Sequence, residues 1–381
     1  MSHLLGLMRM GDMSDGRRVA IIHYWLVGLR GGEKVLEQLC RMFPQADIYT
    51  HVADPAKLSA TLTRHKIIET RIGRLPLARK MYQKYLPLMP RALEELDLSG
   101  YDLVISSEAG PAKGVIVPPD APHLCYCHSP MRYLWDQYHV YRNGAGLLTR
   151  SMMPVFAPSL RQWDVTSAAR VDGFAANSNH VAARIKKYWR RESDVVAPPV
   201  VVDAFAPALR SELGGYYLWA GELAPYKRPD LAVKAFARLN LPLVVIGGPE
   251  KTVRKLQGVA GPNTTFLNKV SFETLKYHMS RCKALIFPGE EDFGIVPVEV
   301  MASGRPVIAY GRGGILDTVV DGETGLFFRE QSVEALVDAV ERFEGSELST
   351  AGPDACVARA GLFGVDRFEA GILRNLKAIG A

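Results

Sequence analysis

Short apolar runs alternate with helical patterns along most of the chain. In the first half the runs are 18–23 (RVAIIH), 46–52 (ADIYTHV), 101–108 (YDLVISSE), 122–129 (PHLCYCHS) and 171–178 (VDGFAANS). After the first run, Val35, Leu36 and Leu39 share one face of a helix that starts near Glu33. The register restarts after VVAPPVVVDAF, because Pro198 and Pro199 fit neither a helix interior nor a central strand and so mark a linker. Runs at 216–221, 242–248, 264–270, 283–289 and 305–311 follow, with a helical pattern at 228–239. Strand and helix alternating in both halves predict an α/β protein of two doubly wound, Rossmann-like domains with parallel sheets. The expected boundaries are 1–198 and 199–363, with a last helix at 364–381 packing back toward the first domain. Two such domains facing across a cleft would bind ligands at the carboxyl ends of their strands.

Composition narrows the class. The chain has 381 residues, 48% hydrophobic and 23% charged, which excludes a mostly disordered protein. The net charge of +6 is too modest to identify a nucleic-acid binder. Five scattered cysteines without a CxxC, with Cys125 and Cys127 expected on opposite faces of a strand, fit a reduced chain lacking a zinc site or disulfide framework. The apolar part of MSHLLGLMRMGDMSDGRR is short and is broken by Arg9 and Asp12, unlike a signal peptide. No run approaches 18 apolar residues. There is no Asp-x-Asp triplet, P-loop, GxGxxG fingerprint or Gly-x-Ser-x-Gly elbow.

The candidate chemistry lies in loops after strands. In 288–304 (PGEEDFGIVPVEVMASG), Pro297 suits the first turn of a helix, placing Glu299 in that turn and Glu291 in the loop before it. Gly294 between them allows close approach of a ligand, and Phe293, Ile295 and Val296 border the helix start. Carboxylates repel phosphate and serve hydroxyl groups, whereas the helix N-terminus serves a phosphate. The alternative is a helix-capping Glu299 and a solvated Glu291. In 220–230 (AGELAPYKRPD), Lys227 and Arg228 put cations at a helix start, where a purely structural role is mildly unfavourable and a departing diphosphate would need charge. Gly31 and Gly32 precede the first helix, either admitting a ligand or meeting a need for positive φ. His128 ends a strand and is followed by Arg132, Tyr133 and Trp135, a mixture suited to carbohydrate, although a lone histidine is more often structural.

Together these segments resemble the GT-B glycosyltransferases of the large retaining family 4 over nearly the whole chain. EDFGIVPVE is similar to its paired-glutamate motif, RGGEKV to its N-terminal glycine loop and GELAPYKRPDL to its donor-phosphate loop, and His128 stands at its active-site histidine. HSPMRYLWD with DFGIVPVEVMASGRPVIAYGRGG looks most like bacterial GDP-mannose-dependent mannosyltransferases of surface-polysaccharide assembly. The resemblance implies that Glu291 binds sugar hydroxyls and Glu299 the ribose. Lys227 would grip the diphosphate, helped by Arg228 and by backbone N–H groups at Gly31–Gly32 and near Gly294, and His128 would touch the sugar. It implies no metal and no cofactor. Where the family often has an arginine five residues before the lysine, this chain has Glu222, so either Arg228 or Arg30 compensates or Glu222 turns away.

The positive charge is local. Residues 64–91 hold eight Lys or Arg and one acid, Glu69, interleaved with apolar residues at helix-like spacing. Arg71, Arg74, Arg79, Lys80 and Lys84, with Arg132, are the candidate acceptor or membrane surface, the alternative being a solvated helix face. The expectation is a cytoplasmic enzyme, peripheral at the inner face of the cell membrane. It would move mannose from GDP-mannose to a lipid-linked saccharide in exopolysaccharide or O-antigen synthesis, with no nucleic-acid partner. The alternatives are a UDP-glucose or UDP-N-acetylglucosamine donor, a nucleotide-sugar epimerase, and a non-catalytic basic binding protein.

Overall fold

The computed structural model describes residues 16–381. The apolar part of the N-terminal segment, weighed against a signal peptide, lies outside them. The chain divides into two compact units, one comprising the chain up to Ala197 with Phe368–Ala381, the other Pro198–Arg367.

The first unit is built on a seven-stranded parallel sheet. Its strands are β1 (Val19–His23), β2 (Asp47–Thr50), β3 (Ile67–Glu69), β4 (Leu103–Glu108), β5 (His123–Cys127), β6 (Gly173–Ala176) and β7 (Asp194–Val195), in the order β3-β2-β1-β4-β5-β6-β7. The central strands are apolar without a break because both faces are covered. Alternate residues serve the two faces: Val19, Ile21, Ile105 and Tyr126 enter one cluster, Ala20, Ile22 and Val104 another. The same period of two corrects the cysteine expectation. Cys125 and Cys127, with one residue between them, share a face and a cluster. Helix α1 (Gly31–Met42) follows β1 and buries Val35, Leu36 and Leu39. The Glu33 carboxylate closes its start by accepting the Arg30 N–H at 2.9 Å. Helices α2 (Tyr138–Gly144) and α3 (Leu147–Ala168) form a hairpin between β5 and β6.

The second unit has a six-stranded parallel sheet of β8 (Tyr217–Ala220), β9 (Leu243–Ile246), β10 (Thr264–Leu267), β11 (Leu285–Phe287), β12 (Val307–Tyr310) and β13 (Gly325–Phe328). Their order is β10-β9-β8-β11-β12-β13. Helix α4 (Pro229–Leu239) opens with proline and Asp230 in its first turn and stops at Asn240, whose φ of 54° ends the helix. Helix α5 (Ile295–Ala302) starts after Gly294, at φ 91°. The final helix α6 (Val365–Ala378) starts in the second unit, and from Phe368 it belongs to the first. There Phe368, Ile372 and Leu376 join the core that holds Tyr126.

Both sheets reverse strand order once, between β1 and β4 and between β8 and β11. At such a switch point the flanking connections depart to opposite faces and leave a crevice at the carboxyl ends. The segment 64–91 differs from the expected amphipathic helix. It contains edge strand β3, short helical turns at Arg71–Arg74 and Ala78–Met81, and a 3₁₀ stretch at Tyr82–Leu88. Pro76, Pro87 and Pro90 remove the donors a continuous helix would need. Among the described residues no helix is long and apolar enough to cross a membrane.

Candidate functional site

In the second unit the loops after β8 and β11 flank the switch point and bring Lys227 and Glu291 together. Lys227 Nζ lies 2.8 Å from Glu291 Oε1, and the side chains are 16% and 18% exposed. Burial alone would lower the Lys227 pKa. The Glu291 carboxylate, with Tyr226 and Glu222, outweighs it, so the ammonium is held above the ordinary lysine value. The loops touch backbone to backbone at Gly289, where a Cβ would stand 2.7 Å from Lys227 Cα. A third loop, after β12, supports Glu291 from the other side. Gly314 N–H donates to the Glu291 carbonyl at 2.9 Å, and a Cβ on Gly313 would come within 2.5 Å of the same oxygen. Helix α5 begins at Ile295, directly after Gly294, and the N–H groups of Ile295 and Val296 have no intrahelical acceptor. A cation, a carboxylate and a helix N-terminus therefore meet at one sheet end. Such a set can hold an anion and hydroxyl groups together.

The first unit's switch point brings together two neutral histidines. His23, at the end of β1, pairs in register with Ser107 of β4, and His128 directly follows β5. Ser107 Oγ lies 2.8 Å from His128 Nε2 and 3.1 Å from His23 Nδ1. The main chain of His128 is held from both neighbours: its N–H donates to the Glu108 carbonyl at 2.8 Å, and its carbonyl accepts from Asn177 Nδ2 at 3.0 Å. Burial lowers the His128 pKa to about 4 and, with the nearby His128, that of His23 well below the ordinary value. Both rings are neutral at pH 7. Gly32 is the second residue of α1, and a Cβ there would overlap the Tyr24 hydroxyl and lie 3.8 Å from His128 Nε2.

Two family models match the chain. "Glycosyltransferase Family 4" covers residues 29–204 and "Glycosyl transferases group 1" covers residues 207–352. HepE of Anabaena, solved with UDP and glucose, superposes with a TM-score of 0.69 at 16% identity over 95% of this chain and 100% of that one. A sucrose-phosphate synthase of Thermosynechococcus elongatus superposes with a TM-score of 0.64 at 20% identity over 95% and 96%. The protein has the GT-B fold of the group 1 and family 4 glycosyltransferases. Curated relatives include D-inositol 3-phosphate glycosyltransferases. The Streptomyces avermitilis enzyme is 29% identical over 52% of this chain and 50% of its own. That of Mycobacteroides abscessus is 32% identical over 39% and 38%. The chain spans about half the length, or less, of these relatives.

Within this GT-B fold the expected site residues fall into distinct groups. Glu299 is buried and is the fifth residue of α5, just past the first turn where it was expected, because the helix starts two residues before Pro297, at Ile295. Phe293 turns inward and packs edge-on against Phe363 at 5.7 Å. Arg228 adopts φ 52° and pairs with Asp230 at 3.1 Å, so it is not a second free cation beside Lys227. Gly31 and Gly32 need no positive φ; at Gly32, close approach is the constraint. Arg71 pairs with Glu95 at 3.1 Å, and Arg79 Nε donates to the Ala53 carbonyl at 2.9 Å. Arg74, Lys80 and Lys84 are exposed, and Arg132 is half-buried in the turn after His128. Residue-type reasoning missed Tyr24, Ser107 and His23. Their only sequence signal was a place at the end of a strand, and the partner strand is set by topology.

Proposed function

We propose that this protein is a retaining, metal-independent glycosyltransferase that moves mannose from GDP-mannose to a polyprenyl-diphosphate-linked saccharide in surface-polysaccharide assembly. It would work as a peripheral protein at the inner face of the cell membrane. The observation that carries the transfer reading is the Lys227–Glu291 pair, 2.8 Å apart beside the start of α5. A sugar nucleotide offers an anionic diphosphate and neutral hydroxyl groups. Lys227 and the N–H groups of Ile295 and Val296 suit the first, and Glu291 suits the second. As the bond from the anomeric carbon to the phosphate oxygen breaks, charge gathers on that oxygen. The acceptor hydroxyl attacks from the same face and gives its proton to the departing phosphate, so configuration is kept. His128 takes the sugar-contacting role that the family resemblance implies. Glu222, which acts on Lys227, supports the ammonium rather than the phosphate.

A second reading exchanges the donor for a UDP-sugar. Its support is HepE, solved with UDP and glucose, and the relatives named for inositol 3-phosphate point to a small phosphorylated acceptor. Labelled GDP-mannose and UDP-glucose, each offered with a lipid-linked saccharide and with inositol 3-phosphate, separate the readings. Label passing from GDP-mannose to the lipid fraction is expected, and label passing only from UDP-glucose replaces the donor. Donor conversion without acceptor would mark an epimerase. Polyanion binding that collapses with salt, without sugar-nucleotide affinity, would mark a non-catalytic binding protein.

A further inference from the structure

The first unit carries an apolar surface that none of the chemistry above uses. The core claims only one end of α3, whose buried residues are Ala157, Leu160, Asp164, Ser167 and Ala168. Nearer the hairpin tip, Met153 and Phe156 pack with Ala157 and Leu160, and this i, i+3, i+4, i+7 set accounts for one face. Another face repeats Leu148, Met152 and Val155 at i, i+4, i+7, and it faces water: Leu148 is 73% and Val155 65% exposed. Leu147, 86% exposed, and Val140 of α2, 70% exposed, extend the apolar surface. A helix apolar on both its packed and its open faces is not the pattern of an element that ends in water.

Charge and backbone chemistry indicate what covers it. Between Asp136 and Asp164 the chain has no carboxylate but has Arg142, Arg150 and Arg161. Pro154 has no N–H, which deprives the Arg150 carbonyl of its helical donor. Arg142 Nε, reaching over from α2, donates to that carbonyl at 3.3 Å. The repair keeps a peptide group paired at the tip, where a medium without water would otherwise penalise it. The hairpin base also adjoins the basic segment, since Leu86 packs in the same cluster as Tyr138 and Leu160. Lys80 and Lys84 are exposed there and form no ion pair among the described residues. Exposed apolar side chains that share their hairpin with Arg142 and Arg150, in a stretch (137–163) without a carboxylate, match an anionic lipid surface. A two-fold contact with a second copy would instead bring Arg142 and Arg150 toward their own counterparts.

We propose that the tip of the α2–α3 hairpin, centred on Leu147, Leu148, Met152 and Val155, inserts into an anionic lipid surface, while the adjoining basic segment lies on the headgroups. This rests on the membrane half of the proposed function and not on the donor.

The test uses the full chain, sedimented with vesicles of phosphatidylcholine alone or of equal parts phosphatidylcholine and phosphatidylglycerol. Wild type should bind the anionic vesicles, and Leu147→Ser/Leu148→Ser should bind about tenfold more weakly or worse. A polarity-sensitive fluorophore on Leu148→Cys should shift to the blue on binding; all five native cysteines are buried, so the label is directed to position 148. Equal binding by wild type and the leucine variant, or an unshifted fluorophore on bound protein, overturns the insertion and leaves headgroup binding by the basic segment standing. Failure of wild type to bind either vesicle overturns the membrane reading as well. A dimer that the leucine variant dissolves, seen by light scattering, assigns the face to a second copy and also overturns the proposal.

Discussion

Each sheet sets a lysine and a glutamate beside its switch point, and the two pairs differ in one respect. Glu108 ends β4 and lies 3.3 Å from Lys113; both are fully buried, and Lys113 also reaches Asp164 at 2.5 Å. The indole N–H groups of Trp135 and Trp189 donate to Asp164 at 2.8 and 2.7 Å. The Lys113 ammonium lies 4.1 Å from the Trp189 ring centre. Burial raises the Glu108 pKa, and for Lys113 the two carboxylates overcome the effect of burial and raise it. Every charge in this triad is answered from within the protein. Lys227 and Glu291 keep part of their surface in water, so an incoming anion can take the lysine from the glutamate. With the same topology and the same residue types, access to solvent separates a structural ion group from the one proposed to bind a ligand.

That contrast can be broken experimentally. The largest expected effect is on stability in the first unit. Lys113→Met leaves two buried carboxylates uncompensated and should cost about 3–5 kcal/mol, read by denaturant unfolding. The matching change in the second unit, Lys227→Ala, leaves a partly hydrated carboxylate and should cost less, about 1–3 kcal/mol, while lowering kcat/KM about 10²–10³-fold. If Lys227→Ala proves as destabilising as Lys113→Met, the division into structural and binding pairs fails.

Acid sharpens the comparison. His51 and His123 of the first unit are buried and neutral, with pKa values lowered by burial to about 4 and about 3. Protons then bind the unfolded chain first, so stability is complete above about pH 6.5 and falls as pH drops toward those values. The expected loss is on the order of 1–2 kcal/mol per histidine by pH 5. The second unit's His278 is half-buried, so melting at pH 7 and pH 5 should expose the first unit as the acid-sensitive one, read by proteolysis within each unit. Equal sensitivity would contradict this.

The most local effect concerns close approach at the first switch point. Gly32→Ala should cost about 1–3 kcal/mol by overlap with the Tyr24 hydroxyl. Tyr24→Phe removes that oxygen, leaving the nearest ring atom 3.4 Å from the new Cβ. The double variant should recover most of the stability. Without recovery, Gly32 serves something other than room for Tyr24.

Much of the fold was legible because the central strands are buried on both faces and stand out as apolar runs. The edge strands β3, β7 and β13 were not read. They are two to four residues long, and β3 lies inside a segment whose charges suggested a helix. Lys227 and Glu291 were legible from residue type and position after a strand. Phe293 and Glu299 shared that loop and helix, but their burial came from packing that the motif does not encode. The Leu148, Met152, Val155 spacing was present in the sequence as well. Helical spacing does not tell a face that meets the core from one that meets water.

By itself the sequence determined the order of strands and helices, the break at Pro198–Pro199, and which loops carry charge. These are local properties, set by side-chain period and by the backbone limits of proline and glycine. The tertiary structure decided which strands adjoin, and so placed Ser107 between His23 and His128 and Lys227 beside Glu291. It also decided which of two lysine–glutamate pairs is sealed and which apolar helix face is left open. Neighbours and solvent access depend on residues distant in the chain, and no local pattern contains them.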